Sequence, residues 1–160
     1  MPRSSSGSSP EPGSRLARDV AGGLFDRLCL DALERPTSEI RHHYDTAPGR
    51  RLVLVDGRRV PGADLYVIER EVGPDVAVDQ EAYVDPHVHT CSSFYVFRGS
   101  DADPASLAVE VRLGDEVRVL RSPAQVFIPA GLRHTLRVVG GPGTFIHVVR
   151  NGDYDTSLAD

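Results

Sequence analysis

After residue 50 the chain is a succession of short apolar runs, each ended by a turn signal, with no room between them for a helix of ordinary length. The runs cover 52–55, 65–72, 81–88, 94–97, 107–113, 116–120, 125–128, 135–139 and 144–149. Asp56-Gly57, Gly114-Asp115 and Gly140-Gly141-Pro142-Gly143 punctuate them, and these are residue types that tight turns require. Strands this short and closely spaced bury their apolar faces by stacking into a sandwich or closing into a barrel, so the fold class is all-β. Asp56-Gly57 predicts a hairpin between 52–55 and 58–60 with a type I′ turn.

The segments on either side read differently. Residues 1–14 are mostly Ser, Gly and Pro and cannot bury enough apolar surface to offset ordering entropy, so a disordered tail is expected. From 15 to 34, Leu16, Val20, Leu24 and Leu28 recur at i, i+4 spacing, with Phe25 and Cys29 beside them. That stripe predicts a helix, capped by Ser14 and stopped by Pro36. The organisation expected is a tail over 1–14, a helix and connector over 15–49, one β domain over 50–150, and a C-terminal tail over 151–160.

Composition excludes several function classes. The net charge of −5 argues against nucleic acid or an anionic membrane surface as the main partner. No apolar run reaches the 18 residues of a membrane span, and the N-terminus lacks the apolar core of a secretory signal. Two cysteines, Cys29 and Cys91, are too few for a disulfide framework, so a reducing cytoplasm is the expected compartment. All 18 basic residues are arginine, which rules out lysine Schiff-base chemistry. Arg50, Arg51, Arg58 and Arg59 cluster near the first hairpin; gathering an anionic substrate and simple solvation both fit them.

The chemistry-bearing residues are histidines: His42, His43, His87, His89, His134 and His147. On a strand, His87 and His89 point to one face, where two imidazoles can bind one metal ion. Pro129-Ala130-Gly131 makes a tight turn that feeds His134 into the next strand. There His134, Leu136 and Val138 share an inward face, while Arg133 and Arg137 alternate with them. His42 and His43 are adjacent, so on an extended strand only one of them can reach a cavity. His147 faces the cavity or solvent according to which way the last strand is turned.

These two segments resemble the two motifs of the cupin superfamily. The first is His87-Val88-His89 followed by Ser93 and a strand ending at Gly99. The second is Pro129-Ala130-Gly131-Leu132-Arg133-His134. The resemblance covers about residues 50 to 150 and implies a single cupin-type β-barrel, or jelly roll, with an N-terminal helix outside it. It also implies one divalent metal ion, Fe(II) or Zn(II), held by His87, His89 and His134. The sequence departs from the family pattern at the usual glutamate ligand, whose place falls on Ser93 or Ser92, and at the usual asparagine, replaced by Val138. The implied site is therefore three neutral imidazoles, which favours an anionic substrate that restores charge balance.

Around that site Tyr95 and His147 are the candidate catalytic side chains, as hydrogen-bond or proton donors. Cys91, Ser93, Phe97, Phe127 and Leu136 are expected to line the substrate pocket. The expected function is a metal-dependent enzyme acting on a small polar or anionic molecule by Fe(II)/O2-dependent oxidation, in keeping with a natural-product tailoring step. The alternatives are zinc-dependent Lewis-acid chemistry, including nitrogen–nitrogen bond formation, a non-catalytic ligand-binding or regulatory cupin, and a purely structural metal site. A homodimer is expected, since cupins commonly share strands between subunits.

Overall fold

A computed structural model describes residues 23–75 and 82–159. The chain divides into two compact units, Met1–Leu30 and Asp31–Asp160. In the first, the described residues form one short helix, α1 (Leu24–Leu28), whose Gly23 N–H donates to Asp26 Oδ2 at 2.9 Å. The helix expected over 15–34 therefore ends early. Cys29 is already extended, and Leu33–Glu34 become strand β1, where ladder pairing with Val53 and Leu52 overrides the helical propensity of Leu and Glu. Residues 1–22, including the tail expected over 1–14, lie outside the described residues.

The second unit is all-β, as expected, and is built from two antiparallel sheets. The larger runs β1-β2-β3-β9-β4-β7, where β2 is Arg50–Val55, β3 Tyr66–Val72, β4 Ser93–Gly99, β7 Ala124–Ile128 and β9 Gly143–Val149. The smaller runs β6-β5-β8, with β5 Ala108–Leu113, β6 Glu116–Arg121 and β8 His134–Gly140. Apolar residues of period two face one another between the sheets: Ile68, Phe97, Phe145 and Val149 from the larger, Val109, Leu136 and Val138 from the smaller. This is the jelly-roll arrangement that the cupin resemblance implies, with two distinct ladders in place of one closed barrel. Among the described residues no helix is long and apolar enough to cross a membrane.

Three local expectations are corrected. The hairpin at Asp56-Gly57 does not form. Asp56 Oδ1 accepts from the N–H groups of Arg58 (2.7 Å) and Arg59 (2.9 Å), which curls 57–60 into a turn, and β2 pairs with β3 instead. The run over 81–88 is not a continuous strand: Glu81 lies outside the described residues, and Val84 and His87 each make an isolated bridge, to His43 and His134. Phe127 does not line the interior. Val126 and Ile128 take the inner face of β7, so the pleat turns Phe127 outward, 56% exposed.

Residues 151–159 are packed against the β domain, where a tail over 151–160 was expected. Tyr154, Ser157 and Leu158 are buried, and Thr90 N–H and Ala159 N–H bond to Ser157 O and Val88 O at 2.7 and 2.9 Å.

These orientations predict opposite outcomes for two phenylalanines. Phe97→Ala empties a fully buried site and should cost about 3–5 kcal/mol, whereas Phe127→Ala should stay within about 0.5 kcal/mol of the parent. Urea unfolding of both variants is the check; equal losses would mean the face assignment of β7 is wrong.

Candidate metal centre

Backbone pairing brings the two histidine segments together. His87 N–H bonds to His134 O, and His134 N–H to His87 O, both at 3.0 Å. The turn ahead of His134 needs Gly131, whose φ of +82° is strained for any residue with a Cβ. In that conformation the Gly131 N–H reaches His89 O at 2.9 Å, a second tie between the segments. His87, His89 and His134 are all buried, and their facing nitrogens lie within 4.8 Å of one another.

Hydrogen bonds on the far side of each ring set the tautomers. His87 Nδ1 faces Asp85 O at 2.8 Å, and His134 Nδ1 faces Leu132 O at 3.0 Å. His89 Nδ1 faces Ser157 Oγ at 2.7 Å. The Ser157 hydroxyl hydrogen is already given to Tyr154 O, so its oxygen accepts here too. All three Nδ1 atoms must therefore carry hydrogen, which leaves three Nε2 lone pairs turned toward one another. His87 Nε2 and His89 Nε2 are 3.2 Å apart, and His134 Nε2 is buried with no partner. The Tyr154 hydroxyl supplies one hydrogen, to His87 Nε2 at 2.9 Å. Nitrogen ligands about 2.1 Å from a first-row cation sit roughly 3.0–3.4 Å apart; the His87–His89 pair has that spacing, and the His134 nitrogen lies within 4.8 Å of both, so the three residues could hold a metal ion.

Electrostatics agree with neutral rings. Burial pushes the His87 pKa down to about 4 and the His89 pKa to about 3. His134 is lowered by burial as well. His43 falls to about 3, again mainly by burial. Neutral imidazole is the form that binds metal.

The structure brings in groups that the sequence reading left out. Tyr154 and Ser157 lie in the segment expected to be a tail, where nothing but the pairing of buried-type Tyr154 and Leu158 hinted at packing. His42 and His43 both approach His87, with ring centroids 5.7 and 5.6 Å away. The expectation that at most one could do so assumed an extended strand. His42 has φ +65°, which breaks that alternation.

Tyr95 and His147 are both buried on the inner face, paired in register across β4 and β9. Their rings stack at 3.9 Å, and His147 Nε2 has no partner. Burial keeps Tyr95 protonated by raising its pKa far above the ordinary value, so it can donate a hydrogen bond but not readily release a proton. His147 is held neutral by burial. Ser93, rather than Ser92, is the buried serine, and its Oγ has no partner. Cys91 stands outside the histidine cluster, and burial raises its thiol pKa, so it is not a ready thiolate. Leu136 lines the inner cavity, whereas Phe97 packs in the core against Tyr95 and Phe145.

That inner cavity, about 30 Å³, is bounded by His43, Arg51, Tyr66, Arg70, Tyr95 and His147, among others. A surface cleft of about 90 Å³ shares Ile40, Arg51, Tyr66 and Tyr154 with it. The other arginines of the hairpin cluster are committed elsewhere. Arg50 bonds to Glu71, Arg58 to Asp153, and Arg59 to the carbonyls of Val53 and Asp31.

No protein-family model matches this chain, and no curated protein does. Similar solved structures include a tyrosine variant of oxalate decarboxylase from Bacillus subtilis, with a TM-score of 0.49, 16% identity, and coverage of 80% of this chain and 32% of that one. Another, concerned with the Mn(II) centres of the same enzyme, has a TM-score of 0.48, 15% identity, and coverage of 81% and 32%. A conserved protein of unknown function from Streptococcus pyogenes has a TM-score of 0.42 and 14% identity, covering 59% of this chain and 71% of that one. The chain spans about a third of the length of the oxalate decarboxylases it is similar to.

Two outcomes follow for the centre. Ser157→Ala removes the acceptor that orients His89 and should lower metal affinity roughly 10–100-fold, read by competition with a chromophoric chelator. For the chelator-treated protein, the sign of the pH dependence is set by the lowered histidines. Below about pH 6.5 the unfolded chain takes protons at His43, His87 and His89, while the folded chain does not until about pH 4 or 3. The urea midpoint should therefore fall steadily from pH 7 to pH 4.5; a flat profile would contradict the buried neutral rings.

Proposed function

We propose that this chain is a metal-dependent enzyme of cupin type. It acts on a small polar or anionic molecule at the His87–His89–His134 centre, with iron(II) as the metal and oxidation by O2 as the reaction. The observation that carries the reading is the set of three buried Nε2 lone pairs that face one another with a single hydroxyl hydrogen among them. Buried acceptors without donors are costly, and a divalent cation satisfies all three at once. Bound there, iron(II) would supply one-electron chemistry toward O2, as zinc would supply Lewis acidity without redox change.

The protein's own residues do the positioning. Asp85 O, Leu132 O and Ser157 Oγ hold the three rings in their ligating tautomers. Tyr154 places a hydroxyl beside the nitrogens, where it can donate to an anionic group of the substrate. Tyr95 stacks on His147 and fixes the imidazole's plane against the cavity. With Ser93 in place of a carboxylate, the protein contributes no negative charge from that position, so an anionic substrate balances the cation better than a neutral one.

A second reading is zinc with Lewis-acid chemistry. One observation favours it: the cluster offers three histidine nitrogens, which leaves the fourth position of a tetrahedral zinc open to water or substrate.

The test is metal content by mass spectrometry on protein purified anaerobically without a metal-affinity step, beside His134→Ala. Near one iron per chain, lost in the variant, together with oxygen consumption on a panel of small thiols and carboxylic acids, is the expected result. Zinc lost in the variant would move the assignment to the second reading. No metal in the parent, even after reconstitution with iron(II) and with zinc, would overturn both and leave a ligand-binding module.

A further inference from the structure

β2 and β3 set two arginines directly opposite each other on the inner face of the larger sheet. Arg51 pairs in register with Arg70, and the two are only 4% and 3% exposed. Like charges directly opposite on neighbouring strands repel, and burial strengthens the repulsion by removing water. Among the described residues no carboxylate lies within ion-pair distance of either. Arg51 Nη1 donates to Pro36 O at 2.7 Å. Arg70 donates to Pro48 O at 3.1 Å and to Thr37 Oγ1 at 2.7 Å. These acceptors are all neutral, so they orient the guanidinium groups without cancelling their charge.

Two buried donors remain unmet. Arg51 Nε–H is buried with no acceptor, and so is the Tyr66 hydroxyl. Both residues border the inner cavity, with Arg70, His147 and Tyr154 on the same wall system. Burial raises the Tyr66 pKa to about 12, so its oxygen keeps its hydrogen at neutral pH. The cavity thus carries two cations and two orphaned donors, and Tyr154 on its wall reaches His87 of the histidine centre at 2.9 Å.

We infer that Arg51, Arg70 and Tyr66 form an anion-binding subsite for the carboxylate of a small substrate, whose other end lies toward Tyr154 and the three histidines. A carboxylate accepts several hydrogen bonds and matches the planar guanidinium fork. The cavity of about 30 Å³ has room for roughly two waters, which sets the scale of the group to a planar carboxylate. The inference rests on the proposed catalytic reading for the direction of the substrate, but not for the binding of the anion.

The probe is sodium acetate, compared with sodium chloride and inorganic phosphate at equal ionic strength. The expected result is saturable binding of one acetate by calorimetry and a matching rise in melting temperature for the parent. Arg51→Met and Arg70→Met should each weaken acetate at least tenfold and abolish the rise, with metal content unchanged. Each variant is scored against its own melting temperature without acetate, and should one fail to fold, the other reads the same subsite from the neighbouring strand. No acetate binding by the parent, an undiminished response in both variants, or phosphate binding in preference to acetate would each overturn the inference. A parent that binds acetate through these arginines but holds no metal would overturn the catalytic reading and leave the subsite standing.

Discussion

The reciprocal backbone pair between His87 and His134 is the constraint on which the centre depends. It joins segments that lie far apart in sequence, and it does so with no contribution from the imidazoles. Ring positions therefore follow from the ladder and from Gly131, and the rings need only be aimed. Aiming is done by three neutral acceptors, two backbone carbonyls and one serine oxygen. Because none of these acceptors is charged, a cation at the centre would keep its full charge, and the anion that balances it must come from elsewhere.

Much of this was legible in the sequence for a physical reason. Period-two alternation in 134–138 and in 93–97 is a direct consequence of the pleat, so the inward set His134, Leu136, Val138 and the set Ser93, Tyr95, Phe97 could be read without coordinates. The strand runs of the β domain were legible for the same reason, apart from 81–88. Phe127 was expected in the pocket, but the alternation that places Val126 and Ile128 inward turns it outward.

Other parts depend on contacts that no local pattern encodes. Arg70 is the exception and could have been found, since Tyr66, Ile68, Arg70 and Val72 share one face. An arginine in that company is an anomaly that the sequence does display. His42 and His43 required knowing that His42 leaves the extended region, and Ser157 required knowing that residues 157–159 lie along 88–90. Polar composition over 151–160 resembles any solvated end, and only tertiary pairing distinguishes the two.

The docking of Ser157 on His89 has a kinetic corollary. The bond spans 68 residues of chain, and the contact of Tyr154 with His87 spans 67. Closing a loop of that length is entropically unfavourable until the intervening strands have already condensed. The rings of His87 and His134 are aimed by carbonyls two residues away, but the aim of His89 waits for this closure, so a metal bound by all three would be captured late in folding.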